Sequence, residues 1–232
     1  MKQTIFSISM LCFLLGSCKN DKPIAEVTKP QPKVAKENPN PPQIQNDIQE
    51  YIPEGFEIQY ECDGDLNQDG LKDYAYVLRN IEEDTRARKT LVFLGDKEKG
   101  RQLFQQSELV FPVEYSDEGY KIYDSETISI EENQLMMELS GLGPSGTTTI
   151  IFQFENGGLF LKSMESFHAG AGGQTIANYE VMTGKIEMTQ VNTMKEDMPS
   201  ETEVKNFAPL KLAFEKVNPM ELFAQQILKF GF

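Results

Sequence analysis

Beyond residue 48 the chain is written in short apolar runs that alternate with polar residues and are broken by turn formers. In Thr149-Ile150-Ile151-Phe152-Gln153-Phe154-Glu155 a period of two puts Ile150, Phe152 and Phe154 on one face of a strand, with Gln153 and Glu155 on the other. Asn156-Gly157-Gly158 then predicts a tight hairpin into Leu159-Phe160-Leu161-Lys162-Ser163-Met164, because Asn and Gly tolerate the positive φ that such turns demand. Glu131-Glu132-Asn133-Gln134 joins Ile128-Ser129-Ile130 to Leu135-Met136-Met137-Glu138-Leu139, and Thr183-Gly184 joins Tyr179-Glu180-Val181-Met182 to Lys185-Ile186-Glu187-Met188-Thr189. Leu91-Val92-Phe93-Leu94 adds another strand, for about eight in all. No repeat recurs at the spacing of a propeller blade, which disfavours a full propeller.

One helix is marked near the C-terminus. Asn218 suits the N-cap, Pro219 the first helical position and Glu221 the third, while Val217 and Leu222 form the ends of a hydrophobic staple. Met220, Phe223, Ile227 and Phe230 follow at helical spacing and predict packing against the sheet. The expected fold is mainly β, an antiparallel meander or sandwich-like domain with one C-terminal helix.

The first 47 residues have a different character. Lys2 precedes the apolar run Ile5 to Leu15, and small residues lead to Cys18, the order of a secretory signal. The run is shorter than the roughly 20 residues of a comfortable membrane span. Leu15-Gly16-Ser17-Cys18 resembles the lipobox of bacterial lipoproteins, which implies cleavage before Cys18 and acylation of that residue. An ordinary signal cut nearby and an uncleaved anchor are the other readings of such a segment. Several acyl chains hold a soluble domain at a bilayer where one chain holds it marginally. Lys19 stands where enteric inner-membrane lipoproteins carry aspartate, so the resemblance implies an outer-membrane address, on its periplasmic or its outer side.

From Lys19 to Asp47 six prolines interrupt Lys, Glu, Gln and Asn with no aromatic residue, a composition that cannot bury enough apolar surface to order itself. The reading is a tether with a relaxed reach of about 30 Å. The expected organisation is therefore a signal peptide at 1–17, a lipidated cysteine and tether at 18–47, and a single β-rich domain at 48–232.

Composition narrows the chemistry. A net charge of -14 argues against nucleic acid as partner, and one histidine excludes a site that needs several imidazoles. Of three cysteines, Cys12 leaves with the signal and Cys18 takes the lipid, so Cys62 remains alone and reads as a small core residue. The acidic groups Glu82-Glu83-Asp84, Glu131-Glu132, Glu196-Asp197 and Glu201 with Glu203 read as solvated surface.

The most specific signal is Asp63-Gly64-Asp65-Leu66-Asn67-Gln68-Asp69-Gly70-Leu71-Lys72-Asp73. Counted from Asp65, oxygen-bearing side chains stand at positions 1, 3, 5 and 9, with the Leu71 carbonyl at 7. Calcium takes six to eight hard oxygen ligands on a tightly curved loop, and Gly70 supplies the curvature. Position 12 is Tyr76, which excludes an EF-hand. The run resembles the calcium β-loop of the FG-GAP family, the integrin α-chain propeller repeat, and is similar to solitary loops in lipoproteins of Bacteroidota. The resemblance implies Asp65, Asn67, Asp69 and Asp73 as side-chain ligands of calcium, Leu71 as a backbone ligand, and a strand over Tyr74-Ala75-Tyr76-Val77-Leu78. A metal-free acidic turn is the other reading.

Two glycine-rich stretches, Gly141-Leu142-Gly143-Pro144-Ser145-Gly146 and His168-Ala169-Gly170-Ala171-Gly172-Gly173, lack the Lys and hydroxyl residue of a phosphate loop and read as connections between strands. His168 is expected in a solvated turn. Ser166 shares its strand face, yet no diagnostic spacing organises a catalytic set. The leading expectation is a lipid-anchored envelope or cell-surface binding or structural module, stabilised by calcium, with the membrane and a protein or glycan as partners. A hydrolase of a glycan or envelope polymer, and an inhibitor or subunit of an envelope complex, are the alternatives.

Overall fold

The computed structural model describes residues 48–83, 87–141 and 146–230. The signal segment, Cys18, the tether, Asp84 and residues 142–145 of the first glycine-rich stretch lie outside them. Two antiparallel meanders follow one another along the chain. The first comprises β1 (Phe56–Gly64), β2 (Asp73–Asn80), β3 (Lys89–Asp96) and β4 (Gly100–Ser107), hydrogen-bonded in that order. The second comprises β5 (Tyr123–Glu131), β6 (Gln134–Gly141), β7 (Thr147–Glu155), β8 (Gly158–Gly170), β9 (Gly173–Glu180), β10 (Lys185–Asn192) and β11 (Ser200–Asn206), again in sequence order. The C-terminal helix α1 spans Pro219–Ile227. The mainly β, antiparallel reading with one C-terminal helix is thus correct, with eleven strands among the described residues instead of about eight.

The strands missed by pattern, β1, β4 and β11, are all sheet edges. An edge strand has one neighbour and is often polar, which blunts self-association and weakens the alternation signal. In β11, Ser-Glu-Thr-Glu-Val-Lys-Asn, every residue but Lys205 is exposed.

Turn chemistry follows the sequence. Asn156 and Gly157 have φ of 52° and 73° between β7 and β8, and Glu132 and Asn133 have φ of 47° and 58° between β5 and β6. Both are two-residue turns in the left-handed region, whose twist matches that of the strands they join. The third hairpin differs: β9 ends at Glu180, so Val181 and Met182 belong to the turn. His168 also departs from its expected place. It lies within β8, which runs on to Gly170, and only Ala171 and Gly172 separate that strand from β9.

The first sheet buries both faces. Ala75, Val77 and Val92 enter a core shared with the second sheet, while Tyr76, Leu78, Leu91 and Phe93 pack with Tyr51 and Ile52 beside a 3-10 turn at Ile48–Tyr51. Burial on two sides explains why Tyr74 to Leu78 reads as a continuous apolar run.

The inner face of the second sheet is ordered in cross-strand rows. One row runs Ile128, Met137, Ile150, Met164, Tyr179, Ile186. The adjacent row runs Glu126, Leu139, Thr148, Ser166, Ala177, Met188 and ends on Glu203. The C-terminal segment covers part of this face: Phe214 meets Phe152 edge to face at 5.1 Å. Helix α1 begins as predicted, with the Asn218 side chain accepting the Glu221 N–H at 3.2 Å, a cap worth about 1 kcal/mol. Phe223 and Phe230 are buried. No helix among the described residues is long and apolar enough to cross a membrane.

Candidate metal centre

The acidic run is the connection between β1 and β2, whose pairing ends at Gly64 opposite Asp73. Leu66 anchors it, since this one apolar side chain of the first half is fully buried in the shared core. The backbone then reverses through Gln68 and Gly70, with φ of 60° and 81°. A Cβ at Gly70 would meet nothing within 4 Å, so its glycine serves conformation and not packing.

Three of the five predicted ligands are gathered. Asp65 Oδ1 accepts from the Asp69 N–H at 3.0 Å and Asp65 Oδ2 from the Gly70 N–H at 2.9 Å. Asn67 Oδ1 accepts from the same Asp69 N–H at 3.0 Å, and its amide donates to Asp69 Oδ2 at 3.0 Å. Asp69 Oδ1 accepts from the Leu71 N–H at 2.8 Å. These oxygens converge on one stretch of backbone, and each accepts a single hydrogen bond. A carboxylate offers about four acceptor positions and an amide oxygen two, so each keeps a lone pair. Asp65 and Asp69 are exposed and Asn67 is half-buried.

Asp73 is different. It is fully buried, and its two oxygens accept three backbone N–H groups: Leu66 at 2.7 Å and Asn67 at 3.1 Å on Oδ2, Gly95 at 2.8 Å on Oδ1. Burial raises its pKa, and the three N–H groups work against that rise. Asp73 is thus a clamp that ties the loop to the end of β3. The contact requires Gly95, where an added Cβ would lie 2.6 Å from the Lys72 carbonyl oxygen. Among the described residues no three Asp, Glu, His or Cys groups gather as a metal cluster, so Asp73 does not join Asp65 and Asp69 in one. Asp63 pairs with Lys72 at 3.0 Å on the surface.

The donor set of Asp65, Asn67, Asp69 and the Leu71 carbonyl is all oxygen and partly anionic, which fits a hard divalent cation and not a soft one. Asp73, with three of about four acceptor positions filled, has room for a single further bond.

A second polar centre was not foreseen. Arg88 and Glu126 form a bidentate pair, Nη1 to Oε2 and Nη2 to Oε1 both at 2.7 Å, with both side chains 1% exposed. Arg88 stacks over Phe111 with its guanidinium carbon 4.4 Å from the ring centre, and also donates to Gln59 and to the Pro112 carbonyl. Tyr60 donates to Glu126 at 3.0 Å, and burial followed by the Glu126 charge pushes its hydroxyl up to about 12. The pair connects the two sheets, since Glu126 lies on β5 and Arg88 precedes β3. Its signal was present: Glu126 is in phase with Ile128 and Ile130, so a period of two already places it on the core face.

Cys62 is half-buried against the core, and burial pushes its thiol up to about 12, the opposite of a reactive nucleophile. No protein-family model, curated protein or solved structure matches this chain.

Proposed function

We propose that this chain is a lipid-anchored module of the bacterial outer membrane, held through Cys18 on the 18–47 tether, whose β domain is stabilised by calcium in the 65–73 loop. The observation that carries the calcium reading is the convergence of the Asp65, Asn67 and Asp69 oxygens on the Asp69 to Leu71 backbone, each with acceptor capacity left over. Asp65, Asn67, Asp69 and the Leu71 carbonyl hold the ion, and Asp73 stands behind them as the clamp that fixes the loop. When bound, calcium supplies the positive charge that offsets two neighbouring exposed carboxylates and ties the loop to itself. The role is structural and non-catalytic: the loop stands at the foot of the β1–β2 hairpin, and the Asp73 clamp passes its rigidity to β3. The sequence features that support anchoring are the lipobox-like Leu15-Gly16-Ser17-Cys18 and the proline-rich stretch after it.

The test is calorimetric titration of calcium into the chelator-treated full-length chain, with Asp69→Ala alongside and thermal melting of both. One equivalent of saturable binding, absent from the variant and raising the melting temperature of the wild type alone, is the expected result. A folded wild-type protein that takes up no calcium overturns the reading.

A further inference from the structure

The second sheet carries a site that the loop does not explain. Beyond the apolar row at Ile150, Met164 and Tyr179, the inner face continues as Thr148, Ser166, Ala177 and Met188 on β7 to β10, and then as His168 and Thr175. Helix α1 stands over these rows with Phe223 and Ile227, followed by Leu228, and the open groove between helix and sheet has a volume of about 400 Å³. That volume lies in the range of small-molecule sites, which are apolar with a few placed polar groups.

Two features specify the chemistry. Thr148 and Ser166 are neighbours across β7 and β8 that line the groove, 7% and 6% exposed, with hydroxyls that keep some accessibility and carry no side-chain hydrogen bond among the described residues. Tyr179, one row deeper on the same face and outside the groove lining, has a fully buried hydroxyl without a partner. Two adjacent hydroxyls that open on a groove and are unused by the chain are placed to bond a polar group bound there. The second feature is charge. In a chain of net charge -14, no Asp, Glu, Lys or Arg lines this groove. His168 is the one titratable side chain of the lining, so an ionic ligand buried there would find no carboxylate, ammonium or guanidinium as counter-charge.

We propose that this groove binds an uncharged amphiphile, an alkyl or acyl chain ending in a hydroxyl or carbonyl. Its polar end bonds to Thr148 and Ser166, and its chain lies along Met188, Phe223 and Ile227. The proposal is independent of calcium. The first glycine-rich stretch bears on the same region, because Gly146 packs against the Phe167 carbonyl and His168 so closely that a Cβ there would overlap them. Positive φ at that glycine, 91°, holds the end of β7 against β8 beside the groove.

The chain contains no tryptophan, so Leu228→Trp, at a groove residue that is 66% exposed, installs a single emission reporter. The full-length reporter protein is titrated with 1-decanol, decanoate and decyltrimethylammonium below their aggregation concentrations. The expected result is a saturable emission change with decanol and binding at least about tenfold weaker for the two ions. Adding Thr148→Val and Ser166→Ala weakens decanol by about tenfold while the melting temperature stays near that of the reporter. Ala224→Glu, on the exposed side of the helix wall, leaves the floor intact; it abolishes decanol binding and brings in decyltrimethylammonium. If the double variant fails to fold, Ala224→Glu decides alone. Absence of saturable binding, equal binding of all three probes, or decanol affinity unmoved by Ala224→Glu overturns the proposal.

Discussion

The 65–73 loop and the floor of the groove under α1 are both polar places at the margin of the apolar core, and they treat their polar atoms in opposite ways. In the loop every Asp and Asn oxygen that faces inward accepts a hydrogen bond from the loop's own backbone or from Gly95. On the groove floor Thr148 and Ser166 are nearly as buried as Asp73, yet their hydroxyls have no such partners among the described residues. Density of acidic residues therefore marks a place where the chain organises itself. Hydroxyls unused by the chain mark a place that can take something from outside. The loop holds its shape through its own hydrogen bonds, whereas the two groove hydroxyls are left to water or to an occupant.

The largest effect separates these cases. Asp73→Ala leaves one buried and two half-buried N–H groups without an acceptor, and we expect a loss of about 3 kcal/mol in urea denaturation, with or without calcium. Asp73→Asn retains an acceptor and should lose less. A cost below about 1 kcal/mol for the alanine variant would mean that the clamp is not what shapes the loop.

Next comes Asp69→Ala, which acts on the exposed part of the same loop. Without calcium it removes acceptors for the Leu71 N–H and the Asn67 amide, at about 1 kcal/mol. At calcium a hundredfold above its dissociation constant the wild type gains about 2.7 kcal/mol by mass action, and the variant gains nothing. Equal calcium increments in the two proteins would remove the ion from this loop.

How far each region could be read beforehand follows from the same contrast. The loop was legible because its residues act within eleven positions of one another, so spacing alone carries the geometry. Even there Asp73 was read as one ligand among equals, because its third partner, Gly95, comes from β3 and no local pattern announces it. The central strands and α1 were legible from periodicity and capping. The edge strands β1, β4 and β11 were not, since edges with exposed faces carry little alternation. The groove and the Arg88 to Glu126 pair are assembled by cross-strand register, which the sequence does not state. What it does state is phase: Thr148 stands in step with Ile150 and Phe152, Ser166 with Met164, and Glu126 with Ile128. A polar residue in phase with a buried face is the trace that both sites leave.

Alkaline pH tests β1, with the buried tyrosines Tyr76, Tyr123 and Tyr179, whose hydroxyls burial also raises, adding to the same trend. Tyr60 and Cys62 both have values raised to about 12 in the folded protein, from 10.0 and 9.0. The folded state thus holds these protons more tightly than the unfolded chain. Their contribution to stability is complete below pH 9 and is lost as pH rises toward about 12. Urea midpoints should fall steadily between about pH 9 and 11, and Cys62→Ala should flatten the earlier part of the fall. A midpoint that stays level across this range would show that neither group is protected by burial.

The smallest effect carries the sharpest sign. Thr148→Val keeps the shape of a mostly buried side chain and deletes a hydroxyl that opens on the groove and carries no side-chain hydrogen bond among the described residues. Where both members of a buried hydrogen bond exist, deleting one is costly; where only one exists, its removal is close to neutral or stabilising. We therefore expect Thr148→Val to change stability by less than about 1 kcal/mol, with zero or a gain as the outcome in protein free of amphiphile. The same substitution should lose stability relative to wild type once 1-decanol is present, because the wild type gains more from binding. A loss of about 1 kcal/mol or more without any ligand would mean that the Thr148 hydroxyl is satisfied internally after all. The groove would then resemble the loop, a self-contained polar margin, and the contrast between the two regions would collapse.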